Sequence, residues 1–403
     1  MENFDVYFKK TVQYTYRGNN LQFRISQDLF SSYGIDIGTQ RLLRTLTSEK
    51  FNDFNKVVDL GCGYGPIGIA LKSVCQSCVV HMVDRDALAL GYSRQNVELN
   101  NLSNFKIYAS LGYDDVKETD FDLIISNIPA KVGEPVLSHI LQDARFYLRP
   151  GGRVIIVVIE AIAEYVAKVL ADPNINILFR KSWPGHVVYH YEFSSGASLV
   201  PKPTVNTFEG GIYDRGKKII SIGSLRVPIQ TTYGLSEFDT LSYETELLLD
   251  SLQTLSDQHI NRALVFNPGQ GFIPVTLSRS TKVQEIVLVD RNLLALRVSR
   301  RNLEFNGYPA KKVFLFHQVG ISQNHSGQTN CIIGILEEKE DPVVHKMFVQ
   351  QAVSELAPKG LVILASSSTA ITRVESFIRS EKLLNVLERR RNKGKSVIIL
   401  KHK

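Results

Sequence analysis

Val83-Asp84-Arg85-Asp86-Ala87-Leu88-Ala89-Leu90-Gly91-Tyr92-Ser93-Arg94-Gln95-Asn96-Val97-Glu98-Leu99-Asn100 returns later as Val289-Asp290-Arg291-Asn292-Leu293-Leu294-Ala295-Leu296-Arg297-Val298-Ser299-Arg300-Arg301-Asn302-Leu303-Glu304-Phe305-Asn306, displaced by a constant 206 residues. The register runs backward without a gap. It sets Leu60-Gly61-Cys62-Gly63-Tyr64-Gly65 opposite Phe266-Asn267-Pro268-Gly269-Gln270-Gly271, and Leu42-Leu43 opposite Leu248-Leu249. Forward, small shifts align Arg149-Pro150-Gly151-Gly152 with Ala357-Pro358-Lys359-Gly360. Chance does not supply so many matches in one register, so the sequence reads as a duplicated domain. A chain of 403 residues has room for two. The expected division is 1–200 and 201–403, with a linker over Ser194–Thr207 that carries Ser-Ser-Gly and Pro-Lys-Pro.

Within each copy, short apolar runs alternate with amphipathic stretches, the pattern of a mostly parallel sheet flanked by helices. The first copy predicts strands at Lys56–Leu60, Val79–Val83, Phe105–Ala109, Phe121–Ser126 and Val154–Ile159. Ile175–Lys181 and Val187–Phe193 then flank the turn-rich Ser182-Trp183-Pro184-Gly185-His186, which predicts an antiparallel hairpin closing the sheet. The second copy ends alike, with Leu384–Glu388 and Val397–Leu400 about a basic loop.

No apolar run is long enough to span a bilayer, and the N-terminus lacks a basic-then-apolar leader, so the expectation is a cytoplasmic protein with no membrane partner. Four cysteines make no disulfide scaffold. Cys75 and Cys78 have Cys-x-x-Cys spacing, but no second pair or His motif completes a site; no metal is expected, and two small residues before a buried strand is the plainer reading. The net charge of +7 is unevenly placed: residues 1–200 hold 20 Lys+Arg against 21 Asp+Glu, and residues 201–403 hold 27 against 19, giving −1 and +8. A nucleic-acid partner would therefore lean on the second copy; a basic surface kept for solubility is the alternative. Nothing in the sequence calls for an obligate protein partner.

Val57-Val58-Asp59-Leu60 ends the first strand and Gly61-Cys62-Gly63-Tyr64-Gly65-Pro66 follows before a helix. Gly61, Gly63 and Gly65 let the backbone turn tightly and approach a ligand that a Cβ would displace, and Pro66 suits the first helical turn. Asp84, at the tip of the second strand, can accept hydrogen bonds from ribose hydroxyls of a bound nucleoside. Gly63-Tyr64-Gly65-Pro66-Ile67-Gly68 also fits a dinucleotide Gly-x-Gly-x-x-Gly, so NAD and a purely structural turn stay open. Asp59 before the loop suits a cationic ammonium better than a pyrophosphate. With Asn127-Ile128-Pro129 ending the fourth strand, it favours S-adenosylmethionine.

These residues resemble the class I methyltransferases, specifically the "methyltransferase small" group, which includes two-domain bacterial ribosomal RNA guanine-N2 methyltransferases. The resemblance covers nearly the whole chain and implies two tandem Rossmann-like α/β domains. Asp59-Leu60-Gly61-Cys62-Gly63-Tyr64-Gly65-Pro66-Ile67-Gly68 matches the family's first motif. Phe30-Ser31, Asp36 and Gly38-Thr39 resemble an upstream element over the cofactor's methionine end. Ser110 falls where the family contacts adenine. The resemblance thus assigns Asp59, Gly61, Gly63, Gly65, Asp84, Ser110, Asp36 and Thr39 to S-adenosylmethionine. Asn127 and Pro129 stand in the substrate motif, where the Asn127 side-chain oxygen would accept a hydrogen bond from the target amine. The family's Asn-Pro-Pro-Phe/Tyr is here Asn127-Ile128-Pro129-Ala130, which lacks the aromatic. Trp183, His186 or Tyr189 are candidate substitutes.

The second copy keeps Asp290 but has Val265 for Asp59, Asn267, Pro268 and Pro274 for Gly61, Cys62 and Gly68, and Gly334-Ile335-Leu336-Glu337 for Ser126-Asn127-Ile128-Pro129. It reads as a fold without its chemistry, kept for packing or substrate capture, and Arg389, Arg390, Arg391, Lys393 and Lys395 are its candidate phosphate grips. In the two-domain ribosomal enzymes the first copy is typically the degenerate one, so the order here is reversed. The expected function is methylation of an exocyclic amine of an RNA base, guanine N2 in ribosomal RNA. Alternatives are a methyltransferase acting on a protein glutamine or small amine, and a non-catalytic cofactor- or RNA-binding protein.

Overall fold

The computed structural model describes residues 4–47, 51, 53–194, 204–256, 258–321 and 327–402. Most of the expected linker, residues 195–203, lies outside them. The chain divides into two compact units, Tyr7–Tyr213 and Met1–Val6 with Asp214–Lys403.

The first unit runs β1 (Phe8–Tyr16), β2 (Asn19–Ser26), α1 (Ile37–Arg44), β3 (Lys56–Leu60), α2 (Pro66–Lys72), β4 (Val79–Asp84), α3 (Ala87–Leu99), β5 (Phe105–Ala109), β6 (Phe121–Asn127), α4 (Glu134–Asp143), β7 (Leu148–Ile159), α5 (Glu160–Val169), β8 (Ile175–Trp183) and β9 (His186–Phe193). Its seven-stranded sheet has the order β5-β4-β3-β6-β7-β9-β8. The first five strands are parallel, and β9 enters antiparallel between β7 and β8. That insertion separates the sheet from the dinucleotide-binding order 3-2-1-4-5-6. Val57, Val58, Val80, Met82, Leu123, Ile124 and Val154–Val158 are all buried. Continuous apolar strands of this kind are stable only where helices cover both faces. Strand β7 begins earlier than its apolar run, at Leu148, and passes through Pro150-Gly151-Gly152 with a register shift against β6. A Cβ on Gly152 would lie 2.7 Å from the Phe121 carbonyl oxygen, so only glycine lets the two strands close there.

The second unit repeats the plan: β10 (Asp214–Ile222), β11 (Leu225–Thr232), α6 (Tyr243–Ser251), β12 (His259–Phe266), α7 (Phe272–Ser280), β13 (Lys282–Asp290), α8 (Leu293–Phe305), β14 (Val313–His317), β15 (Thr329–Ile335), α9 (Pro342–Glu355), β16 (Leu356–Ser367), α10 (Ser368–Ser380), β17 (Leu384–Asn392) and β18 (Lys395–His402). Its sheet order, β14-β13-β12-β15-β16-β18-β17, is the same one. The expected basic loop is corrected here. Arg389–Asn392 end β17 and Lys395 opens β18, leaving a two-residue turn of Lys393 (φ 47°) and Gly394 (φ 77°). Two successive positive φ values match the right-handed twist of the flanking strands, so they can pair up to the tip.

The antiparallel pairs β1–β2 and β10–β11 form separate two-stranded sheets that the sequence reading did not anticipate. They obey the same 206-residue displacement, down to an irregularity at Phe8/Lys10 and again at Asp214/Gly216. The repeated asparagines hold them. Asn96 accepts from Arg24 N at 2.7 Å and donates to the Arg24 and Tyr64 carbonyls at 3.1 and 2.9 Å. Asn302 does the same with Gln230 and Gln270 at 2.8, 2.9 and 2.8 Å. Each asparagine is buried with its amide satisfied by backbone, so the carboxamide fastens hairpin, glycine loop and helix together.

Candidate active site

Strand β3 carries Asp59 to its tip, where the side chain is fully buried. Oδ2 accepts from the Gly68 amide at 2.9 Å, and Oδ1 has no partner. Burial raises the carboxyl to about 7, opposed by the Gly68 hydrogen bond and assisted by the charge of Asp84. Gly68 is required by this contact, because a Cβ there would sit 2.6 Å from the Met82 sulfur.

The loop beyond β3 takes Gly61, Gly63 and Gly65 through φ of 76°, 57° and 91°, a region that L side chains disfavour. No atom lies within 4 Å of where a Cβ would project from Gly61 or Gly63, so both glycines border open space. Asp84, at the end of β4, accepts from the Gly63 amide through Oδ2 and the Asp86 amide through Oδ1, each at 2.9 Å. Burial and the neighbouring Asp86 raise its carboxyl above the ordinary range. An unpartnered buried carboxylate oxygen beside a cradle that side chains would fill suits a ligand with a cationic end and a nucleoside end, the chemistry of S-adenosylmethionine.

Asn127 ends β6. Its Nδ2 donates to Asp36 Oδ2 and to Thr39 Oγ1, both at 3.0 Å. A carboxylate only accepts, so the amide nitrogen must face Asp36 and the carbonyl oxygen must face away. Asp36 is the N-cap of α1, accepting from Thr39 N at 3.0 Å. The upstream element therefore reaches Asn127 directly, a relation that its sequence likeness did not suggest. Gly38 allows the approach, since a Cβ would meet Asp36 Oδ2 and the His186 ring at 2.8 Å. Arg41 donates to His186 Nδ1 at 2.9 Å and to the Pro184 carbonyl at 2.7 Å, tying the β8–β9 turn to α1. Arginine is always a donor, so His186 Nδ1 is the accepting nitrogen of this contact.

Ile128 turns into the core, and its amide donates to Val157 O at 3.0 Å, a bond that a proline could not make. Pro129 and Ala130 are exposed. Ser110 is buried and turned to its own loop, donating to Gly112 O at 2.6 Å and accepting from Asp115 N at 3.2 Å. Of the candidate substitutes for the missing aromatic, Tyr189 is fully buried with its hydroxyl on Ala163 O, while Trp183 and His186 lie at the turn held by Arg41. Cys75 and Cys78 are buried, their thiols donating to the Phe51 and Cys75 carbonyls at 3.3 and 3.0 Å.

The second unit keeps the shape of the loop and loses its groups. Asn267, Gly269 and Gly271 have φ of 48°, 55° and 91°. Asn267 now fills the place of Gly61 and donates to Ile335 O at 2.9 Å, and Val265 is a buried apolar residue where Asp59 would stand. Three of its five candidate phosphate grips are matched internally. Arg389 donates to Glu375 and Thr372 at 2.8 Å and to Ser368 O at 2.9 Å. Arg390 pairs with Glu388, and Lys395 with Glu244 and Glu338. Exposed Arg391 and Lys393 remain, the latter 4.2 Å from the Tyr243 ring centroid.

The sequence missed Tyr64, whose hydroxyl donates to Gly34 O at 3.0 Å and ties the glycine loop to the upstream segment. It also missed the role of Asn96; its repetition as Asn302 was the available signal. Among the described residues no His, Cys, Asp and Glu cluster could hold a metal, and no helix is long and apolar enough to cross a membrane.

The sequence matches the family described as "Methyltransferase small domain" twice, over residues 20–172 and 228–392. An uncharacterised Bacillus subtilis protein, YbxB, is 30% identical over 151 residues, 37% of this chain and 74% of that protein. Ribosomal RNA large subunit methyltransferase G of Shewanella loihica is 33% identical over 33% of this chain and 35% of its own length. Ribosomal RNA small subunit methyltransferase C of Haemophilus influenzae is 34% identical over 34% of this chain and 42% of its own. These two alignments thus span less than half of each named enzyme. The Thermus thermophilus 16S rRNA N2-guanine methyltransferase, solved with AdoMet and guanosine, aligns over 99% of this chain and 100% of that one with a TM-score of 0.68. At 17% identity that likeness shows the duplicated fold.

Proposed function

Since the chain belongs to the methyltransferase small-domain family and is an S-adenosylmethionine-dependent methyltransferase, we propose that its first unit methylates an exocyclic amine of an RNA base, guanine N2 in ribosomal RNA. The observation that carries the reading is the clamped amide of Asn127: with Nδ2 held by Asp36 and Thr39, Oδ1 is presented at the end of β6 as an acceptor. An NH₂ group bound there would have its nitrogen direction fixed. Orientation of this kind lowers a transfer barrier without a strong base. S-adenosylmethionine, when bound, supplies a methyl group already activated on a sulfonium. Asp59, Gly61, Gly63, Gly65 and Asp84 are the residues that would hold it, with Ser110 shaping the neighbouring loop and Pro129 lining the acceptor side.

The division of labour we infer is a catalytic copy over 1–200 and a degenerate one over 201–403 that captures RNA in the cytoplasm. Of the five candidate phosphate grips, exposed Arg391 and Lys393 would meet phosphate. The names of relatives that act on ribosomal RNA support the choice of acceptor. Incubating the protein with tritiated S-adenosylmethionine and either ribosomal subunits or free RNA tests it. Nuclease-sensitive label is the expected result; label confined to protein or small molecules overturns it.

A further inference from the structure

The substrate motif has an exposed alanine where a stacking ring would be useful, yet the segment leading into α1 displays two aromatic residues in the open. Tyr33 is 80% exposed and Phe30 is 71% exposed, the highest values among the large hydrophobic residues described. Exposed rings of this size cost solvation unless something covers them. Their backbone is nonetheless fixed. Ser31 sits at φ 62° and donates to Gly34 O at 2.6 Å, while Tyr64 donates to the same oxygen at 3.0 Å. The side chains are therefore presented by an anchored turn.

The turn is also close to the chemistry. Only Gly34 and Ile35 separate Tyr33 from Asp36, which caps α1 and holds Asn127, so at most roughly 10 Å of chain lies between them. Cations accompany the rings. Lys9 Nζ stands 3.7 Å from the centroid of Tyr33, and the Arg24 guanidinium stands 4.2 Å from that of Phe8, itself 40% exposed. Lys10 is exposed on the same strand. Aromatic faces beside cations are the chemistry of single-stranded nucleic acid binding, in which bases stack and phosphates meet the charges.

We propose that Tyr33, with Lys9 beside its ring, is a stacking platform for an unpaired RNA base entering next to Asn127, and that it supplies the aromatic surface absent at Ala130. This rests on the RNA reading above. It identifies a surface of the first copy, whose residues 1–200 carry a net charge of −1, as a contributor to RNA binding.

The test uses the full chain and fluorescent single-stranded RNA of mixed sequence. Tyr33→Ala should weaken binding roughly 5- to 100-fold, the span of one lost base stack. Tyr33→Trp should preserve it, and Lys9→Glu should weaken it and lower its salt dependence. Calorimetry with S-adenosylmethionine should give the same affinity for Tyr33→Ala as for the parent protein. Parent protein that binds RNA while Tyr33→Ala binds equally well overturns the platform and leaves the RNA reading intact. Parent protein that binds no RNA overturns both, including the case in which a protein acceptor is labelled instead.

Discussion

Asn127 Nδ2 lies 3.0 Å from Asp36 Oδ2, joining the end of the fourth parallel strand to the N-cap of the first helix across 91 residues of sequence. That bond decides which atom of the carboxamide is offered to an acceptor.

Removing the amide by Asn127→Ala should lower kcat by about 100-fold or more, the scale of lost orientation, with S-adenosylmethionine affinity little changed. Asp36→Ala should lower kcat as well and cost about 1 kcal/mol of stability through the lost cap. Asp36→Asn retains an acceptor oxygen for both donors and should recover most of each effect. Steady-state kinetics with thermal unfolding separates the two. Equal kcat for Asp36→Ala and the parent protein would dismiss the positioning role.

Asp59 is expected to make cofactor binding pH-dependent. Its carboxyl, raised to about 7 by burial, is protonated in the free protein below that pH, and a cationic ligand favours the ionised form. Affinity measured by calorimetry should therefore rise with pH through about 7. Stability runs the other way. The folded state holds this proton more tightly than the unfolded state, so stability falls as pH climbs from the usual carboxylate range to about 7, by on the order of 4 kcal/mol. Asp59→Asn should remove both slopes, stabilise the free protein at pH 8 and weaken the cofactor.

Gly63 and Gly269 provide a matched pair, with φ of 57° and 55°. Alanine at either should cost roughly 1–2 kcal/mol for the left-handed backbone. Only Gly63→Ala projects a methyl into the cradle, so only it should weaken S-adenosylmethionine, by about tenfold or more for ~1–3 kcal/mol of overlap. One cofactor per chain is the expected stoichiometry. A second equivalent, lost in Gly269→Ala, would return the second unit to service as a binding site.

The basic strand pair sorts its cations by what they touch. Arg389, with a side chain only 13% exposed against Glu375 at 16%, should cost about 3 kcal/mol when changed to alanine. Arg391→Ala and Lys393→Ala should each change stability by less than about 0.5 kcal/mol. Each should reduce the salt slope of RNA binding by about 1. Unaltered slopes in the double variant would remove this turn from the RNA surface.

Much of the architecture was readable because it is written in short windows. The strands at Lys56–Leu60 and Phe105–Ala109 have the bounds that their apolar runs predict. The hairpin β1–β2 lies upstream of the matched Leu42-Leu43, although Phe8 and Asp214 obey the same displacement. Ser110 shows the opposite limit. Its place after β5 was clear from sequence, but the direction of its hydroxyl, toward Gly112 and Asp115, depends on how the following turn folds.

The sequence alone determined the duplication, the sheet with its closing hairpin, the glycine loop and the loss of Asp59's counterpart at Val265. Periodicity, turn residues and positive-φ glycines are local properties of the chain, and a residue's absence needs no partner to be seen. The tertiary structure decided which groups are available. Asn127 faces Asp36 and Thr39 from 91 and 88 residues away, Asn96 clasps Arg24 from 72, and Arg389 is committed to Glu375 on a neighbouring helix. A hydrogen-bonding or charged side chain acts according to what folding brings within about 3 Å of it, and that proximity is not written in sequence order.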